Sequence, residues 1–583
     1  MPVPPRPLRG RLTATLAVLA AGAAIGAVPA TAHARPAVSP RGWVATATRA
    51  VSYTGKRLGA TAPATPVHVT LALQPHDTAA MQQRLRAIYT AGSPSYHHYL
   101  TPRQWRADYA PSRADVARVA DYLRAEGFTD VRATGNRMAV TATGTAARAE
   151  HAFATRLVDF RHGTDVVFGN VTPAQVPASL AGVVSSVIGL NDLPVDLVKA
   201  RRADAGSPSF NGLYPGQFAT TYGATGTTTG RSVAVALLTE GDTAPVLKQL
   251  RFAEQKEKSP RVPVTVVPVG AQSTDASGAE EFDMDTQVAT IAAGGVKHLY
   301  LYNIGALLDS EIVADFATFV SQDKASALSA SIGGCEFNAY LDGSEVFNDV
   351  TMQEAAMQGQ SIFASSGDEG DACAFVANLG GPVGVPQVEW PASGTFDTAV
   401  GGTSLVSDAD GNRIQELAWL GSGGGVSELE NPGWWTQDTD PAFDLEYATG
   451  GRAVPDIALD ADPNLATPAE VYVDGAPVGV GGTSLSSPLM LAFWARMQAA
   501  HHDRLGLASV ALYGVYDKVN PGVSQTVPTV GLPVVVPTPN PAAVPGLTDI
   551  QLGSNGLYQA TPGYDLVTGL GAPDVKALTA ALN

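Results

Sequence analysis

The sequence predicts an α/β protein, a doubly wound parallel sheet forming a large C-terminal domain, preceded by a smaller α+β domain. Three observations carry this. After residue 205, short continuously apolar runs alternate with helix-like stretches, the pattern of parallel strands covered on both faces. Between Val67 and Thr155, strands and helices interleave within one short region. The charge also changes sign: residues 35–204 hold 20 Lys and Arg against 12 Asp and Glu, and residues 205–583 hold 14 against 42. At 583 residues, 45% hydrophobic and 16% charged, the chain is globular in composition and too long for one ordinary domain. So acidic a body suits acidic surroundings, and a basic N-terminal domain would be held to it by attraction at neutral pH.

Taken in order, the chain opens with Arg6, Arg9 and Arg11, an apolar run from Leu12 to Val28, and the small-residue stretch Ala30-Thr31-Ala32-His33-Ala34. That order is a secretory signal peptide, residues 1–34, cut after Ala32 or Ala34. No later segment has 18 unbroken apolar residues, so a secreted, extracellular protein without a membrane span is expected. Residues 35–65, rich in Ala, Pro and Thr, read as a linker. Val67–Leu73 alternates as a strand, Ala79–Ala91 has helical spacing closed by Gly92, and Arg113–Glu126 is a second helix closed by Gly127. Met138–Ala142 reads as a strand and Ala146–Thr155 as a helix. Between the first two helices lies SPSYHHYLTPRQWRADYAPS, Ser93–Ser112. Val198–Pro208, polar and containing Arg201-Arg202, reads as an exposed junction open to proteolysis. The boundaries expected are 35–204 for the first domain and 205–583 for the second.

In the second domain, strands are predicted at Ser232–Leu238, Val262–Val267, His298–Tyr302, Ala327–Ile332, Ser361–Ser366 and Thr398–Val400. Helices are predicted at Ala244–Gln255, Glu280–Ala293, Asp309–Val320 and Glu345–Gln358. In such sheets functional groups gather at the carboxyl ends of the strands. Residues 526–545, punctuated by six prolines, read as an extended surface insertion. In an exported protein Cys335 and Cys373 are candidate disulfide partners, with a bridge and two free thiols both open at this point.

The stretch GGTSLSSP, Gly481–Pro488, runs into the apolar segment Leu489–Trp494. It describes a tight turn exposing a hydroxyl at the start of a buried helix, where unpaired N–H groups and the helix dipole stabilise forming negative charge. Ser484 is the candidate nucleophile, with Pro488 expected in the first helical turn. A serine needs a base, yet after residue 205 the only histidines are His298, His501 and His502. The first begins a strand, and the other two end the Ser484 helix about five turns away. Either Ser484 is inert or the base is a carboxylate. Glu281 and Asp285 lie i, i+4 on one helix face, with Asp283 pointing away. An ordinary solvated acidic face is the alternative; partial burial beside Val288 and Ile291 would raise a carboxyl pKa and let the pair share a proton. Asp368, in the turn after an apolar strand, could donate a hydrogen bond to an oxyanion when protonated. A second GGTSL, Gly401–Leu405, lacks the proline and the apolar helix and is expected at a strand end.

With these residues assembled, the chain resembles the sedolisin (serine-carboxyl) peptidases with a kumamolisin-like activation propeptide. The resemblance rests on GGTSLSSP, on EFDMDTQ (Glu281–Gln287), on SSGDEG (Ser365–Gly370) and on SPSYHHYLTP. It implies a subtilisin-like fold, Ser484 as nucleophile, Glu281 as general base and acid, Asp285 as its proton-sharing partner and Asp368 as oxyanion donor. It also implies one structural Ca2+, held by the side chains of Asp549 and Asp565 and the carbonyls of Ile550, Thr561 and Gly563. Carboxylates flanking glycine-rich turns are hard-oxygen donors of the kind calcium takes. Ile332-Gly333 departs from the Trp-Gly common in the family, leaving subsite preference open. The partners implied are polypeptide substrates and the chain's own propeptide as an intramolecular inhibitor, with no nucleic acid and a monomeric state. A catalytically inactive secreted binding protein on this scaffold is the alternative, and a glycosidase using Glu281 and Asp285 is disfavoured because helix neighbours cannot readily flank a sugar bond.

Overall fold

The computed structural model describes residues 42–51, 56–162, 165–197, 201–203, 212–373, 387–436, 451–521 and 541–582. The signal-peptide reading and most of the proline-rich segment lie outside them.

An eight-stranded sheet organises the larger part. Across it run Val264–Pro268, His298–Ile304, Ala234–Glu240, Ala327–Ala330, Ser361–Ser365 and Thr398–Ser407, each parallel to its neighbour. Ile457–Asp460 adds parallel to the last of these, and Arg413–Ala418 closes that side antiparallel. Helices cover both faces, as the continuously apolar strands require. One face packs the helices Ala279–Ile291 and Thr483–His501 into a core with Met284, Val288, Leu489 and Phe493. The other packs Asp309–Gln322 and Ser344–Met357 through Ile312, Phe316 and Met352. Among the described residues no helix is long and apolar enough to cross a membrane.

Four differences from the sequence reading bear on the site. The run Ala327–Ile332 breaks after Ala330, and a separate strand, Ile332–Cys335, pairs antiparallel with Glu389–Trp390. The second GGTSL lies within the ten-residue strand Thr398–Ser407 rather than at a strand end, with Ser404 Oγ donating to Asp462 Oδ2 at 2.6 Å. An unforeseen hairpin, Ala469–Val473 with Ala476–Gly481, leads directly into the Ser484 turn. Residues 35–65 are not simply a linker, since Trp43–Ala45 pairs with Gln175–Pro177 and Arg57–Ala60 with Leu157–His162.

The N-terminal part forms a four-stranded antiparallel sheet in the order Thr129–Ala133, Ala139–Thr145, Pro66–Leu73, Val184–Ile188. Its own core gathers Leu71, Leu123, Phe128, Val140 and Phe153. The layer sits on two helices of the larger part: Thr70 Oγ1 donates to the Ser310 carbonyl at 2.9 Å and Asn136 Nδ2 to Glu354 Oε2 at 2.8 Å. The Ser93–Ser112 segment docks at the end of the second helix. There the Leu100 N–H donates to the Met357 carbonyl at 2.8 Å, and Tyr99 packs so closely over Gly359 that a Cβ there would meet its ring at 2.7 Å. Thr101 then starts the helix Pro102–Asp108 with a capping box closed by Gln104. Cys335 and Cys373 are joined in a disulfide, with Cα atoms 5.5 Å apart.

Candidate active site

The helix Thr483–His501 is buried on every side from Thr483 to Ala499, so it runs through the core rather than along a surface. Gly482 precedes it at φ 103, a left-handed conformation that a side chain would strain. Helix formation at Thr483 puts Ser484 in the first turn, where it is fully buried. Pro488 therefore lies in the second turn, not the first as expected. Its missing N–H is the one that would otherwise donate to the Ser484 carbonyl. That carbonyl instead meets the Ser331 hydroxyl at 3.4 Å.

Ser331 connects the acidic helix to this turn, because its hydroxyl also lies 2.9 Å from Asp285 Oδ1. One hydroxyl hydrogen serves one acceptor, and the shorter contact, Ser331 donating to Asp285 Oδ1, leaves an Asp285 proton to the other carboxyl oxygen, Oδ2. Asp285 is fully buried, and burial pushes its carboxyl well above the ordinary range, partly offset by the Ser331 contact. Glu281, one turn earlier on the same face, is 3% exposed. The solvated acidic face is thereby excluded. Asp283, on another face, is buried as well, its carboxyl pushed up to about 8 by burial and then by Asp474 and Glu280.

Asp368 reaches the serine turn from the opposite side. Its Oδ1 accepts the Thr483 N–H at 2.7 Å and the Thr483 hydroxyl at 2.9 Å, and the Gly367 N–H donates to that same hydroxyl oxygen at 3.2 Å. Burial pushes this carboxyl up to about 6, against the lowering effects of the Thr483 N–H and of Arg201. The histidines stand elsewhere: His298 starts a strand and pairs with Thr265, and His501, at the far end of the serine helix, pairs with the Thr579 carbonyl. The structure thus draws Ser484, Asp285 and Asp368 to one turn, with Glu281 on the Asp285 face of the acidic helix. Ser331 and Thr483, which tie them together, were not singled out by the sequence.

The junction after the N-terminal layer crosses this region. Asp196–Leu197 pairs antiparallel with Ile332-Gly333, and Arg201-Arg202 pairs antiparallel with Val480-Gly481. Both partner strands border the serine turn, one adjoining Ser331 and the other ending three residues before Ser484. The arginines grip carboxylates on either side: Arg201 binds at Asp368 and Glu369, and Arg202 donates Nε and Nη2 to Glu280, both at 2.6 Å.

At the candidate metal loops, Asp549 accepts the Gly563 N–H at 3.0–3.1 Å, and Asp565 Oδ2 accepts the Thr561 N–H at 3.2 Å. Asp549 and Asp565 therefore each lie beside a residue expected to offer a carbonyl, Gly563 and Thr561, so carboxylates and backbone carbonyls are the donor types at hand. That set fits a hard divalent cation.

Comparison with known proteins extends the geometry. The family described as Pro-kumamolisin, activation domain, matches residues 54–193. Sedolisin of Pseudomonas sp. (strain 101) is 30% identical over 543 residues, spanning 88% of this chain and 86% of that protein. Kumamolisin of Bacillus sp. (strain MN-32) is 28% identical over 517 residues, spanning 84% and 87%. The solved structure of Pseudomonas sedolisin complexed with two molecules of pseudo-iodotyrostatin aligns with a TM-score of 0.55 at 29% identity, over 64% of this chain and 98% of that one.

Proposed function

The chain belongs to the sedolisin family of serine-carboxyl peptidases and carries an activation propeptide, and from that premise we propose a secreted, acid-active enzyme, made as a self-processing zymogen, that works through Ser484, Glu281, Asp285 and Asp368. The observation that carries the residue roles is the serine turn, reached by Asp368 through Thr483 and by Asp285 through Ser331, with the histidines of this part elsewhere.

In this reading Glu281 takes the Ser484 hydroxyl proton as Oγ bonds to the scissile carbonyl carbon. Asp285 shares a proton with Glu281 and so tunes its basicity. Protonated Asp368 donates a hydrogen bond to the oxyanion of the tetrahedral intermediate. Glu281 then gives its proton to the departing amine as the C–N bond breaks, leaving an acyl-enzyme. Water, deprotonated by Glu281, attacks the acyl carbon, and Glu281 returns that proton to Oγ as the acyl C–Oγ bond breaks, freeing Ser484 and the acid product. Asp368 must be neutral to donate, so activity falls as pH rises through its titration, which burial pushes up to about 6 with Arg201 in place. A structural Ca2+, held by Asp549 and Asp565 with the carbonyls of Ile550, Thr561 and Gly563, would tie the C-terminal loops together. The enzyme acts as a monomer on polypeptides.

The test is Ser484→Ala in the full-length chain, with peptide hydrolysis and self-processing followed at acid pH free of other proteases. Loss of both is expected. A variant that still processes itself refutes the assignment.

A further inference from the structure

The Arg201-Arg202 pair does more than cross the serine turn. Arg201 Nη2 donates to the Asp368 carbonyl and to Glu369 Oε1, both at 2.8 Å, and its Nε is 3.3 Å from Asp368 Oδ2. The other oxygen of that carboxylate is already occupied by the Thr483 N–H and hydroxyl. Thr483 thus donates to one oxygen of Asp368, and the other, which accepts no hydrogen bond among the described residues, has the guanidinium charge 3.3 Å away, a pairing that favours the anion. The guanidinium is fixed in place by backbone pairing of Arg201 with Gly481, by the Ala203 N–H donating to the Gly479 carbonyl at 2.9 Å, and by the Trp419 ring 5.6 Å from its carbon. Arg202 grips Glu280 beside it, with Asp474 nearby.

The two contacts of Arg201 are not equal. Glu369 is 49% exposed, so its pair is screened by water and salt, whereas the Asp368 side chain is 7% exposed. A cation against a buried carboxylate shifts that group's ionisation strongly.

We propose that Arg201 is an electrostatic latch on maturation, holding Asp368 as a carboxylate and so keeping the oxyanion donor switched off until acid protonates it. The proposal rests on the reading of Asp368 as the oxyanion donor. It makes one contact serve two ends: the linker is anchored at neutral pH by the carboxylate whose ionised form disables the catalytic turn. Protonating Asp368 both weakens the anchor and arms the site. The other groups facing the pair are Glu369, Glu280, Asp474 and Thr483. Arg201 is thus a positioning residue, acting on the reaction through Asp368.

The experiment is a pH series of self-processing by the full-length zymogen, scored as the fraction cleaved at a fixed time by gel and mass spectrometry. Removing the cation raises the pH at which Asp368 protonates. Arg201→Gln should therefore shift half-processing to higher pH by about one to two units, the size of an arginine's effect on an adjacent aspartate. Arg201→Met should do the same with the aliphatic stem retained, and Arg201→Lys should stay near the parent. In an Asp368→Asn background the same Arg201→Gln change should shift nothing. An unchanged or lower onset in folded Arg201→Gln and Arg201→Met overturns the latch, as does a full shift in the Asp368→Asn background. Ser484→Ala, run alongside, separates the two ideas: continued self-cleavage there defeats the peptidase reading itself, whereas its silence with an unmoved Arg201→Gln onset defeats the latch alone.

Discussion

Ser331 joins two pieces of chemistry that the chain places far apart, Asp285 on one helix and the Ser484 carbonyl on another. It touches no substrate in the proposed reaction, so its role is to fix where the Asp285 proton sits. A hydrogen bond to a charged group contributes about 1.5–3 kcal/mol, and Ser331→Ala should lower kcat about 10- to 100-fold with little change in KM. Because this contact lowers the Asp285 pKa, its loss should also move the Asp285 titration, and with it the pH–rate profile, toward higher pH. Unchanged kcat and an unchanged profile in a folded variant would remove Ser331 from the mechanism. At this scale the candidates Ser484, Glu281, Asp285 and Asp368 could be singled out because each sits in a patterned motif and only three histidines follow residue 205. Ser331 was not, since a lone serine after a strand has no periodicity, and its significance depends on the N–H that Pro488 lacks four residues beyond Ser484.

The regular elements were legible for a physical reason. Parallel strands buried on both faces leave continuous apolar runs, and the helices between them keep a 3.6-residue period. The hairpin Ala469–Val473 with Ala476–Gly481 escaped although its turn signal was present: Asp474 and Gly475 take φ 50 and 79, the left-handed pair that Asp-Gly favours. Its strands mix buried and half-exposed positions without clean alternation, so the turn stood alone as a cue. The linker strands were illegible for a different reason. Asp196–Leu197 and Arg201-Arg202 are extended only because strand edges of the larger part accept them, and no local propensity encodes that. The C-terminal loops belong to this scale too. Asp549 and Asp565 draw in Gly563 and Thr561 while Ile550, Tyr564, Leu566 and Val567 pack into the main core, so a bound Ca2+ would add to that anchorage. Chelation with verified metal removal should lower the melting temperature and make 547–571 the first region to exchange amide hydrogens. An unchanged melting temperature and exchange pattern would count against the site.

For the whole molecule, acid is favoured twice over. The expected attraction between a basic N-terminal part and an acidic body takes a narrower form: among the described residues, the ion pairs joining the parts are at Arg201, Arg202 and the His97–Asp503 contact. The larger effect lies inside. Burial pushes Asp368 up to about 6, Glu336 to about 7 and Asp283 to about 8, and moves Asp397 and Asp460 well above the ordinary range. Unfolded, these carboxyls titrate near 4. Below that pH both states are protonated and nothing is lost. Above it the unfolded chain releases protons that the folded chain retains, so stability falls as pH rises until each folded pKa is passed. One carboxyl displaced from about 4 to about 6 removes roughly 3 kcal/mol over that interval. The Ser484→Ala zymogen, which should not process itself, is therefore expected to melt several degrees higher at pH 4 than at pH 7.5. Self-repulsion in a chain of net charge −17 has the same sign, and salt separates the two. Surface repulsion is screened at high ionic strength, whereas groups buried beneath protein are not. A gap that persists in high salt locates the effect in the buried carboxyls. A gap that vanishes there returns it to the surface, and equal melting temperatures at both pH values would mean that the buried groups are not displaced as their burial requires.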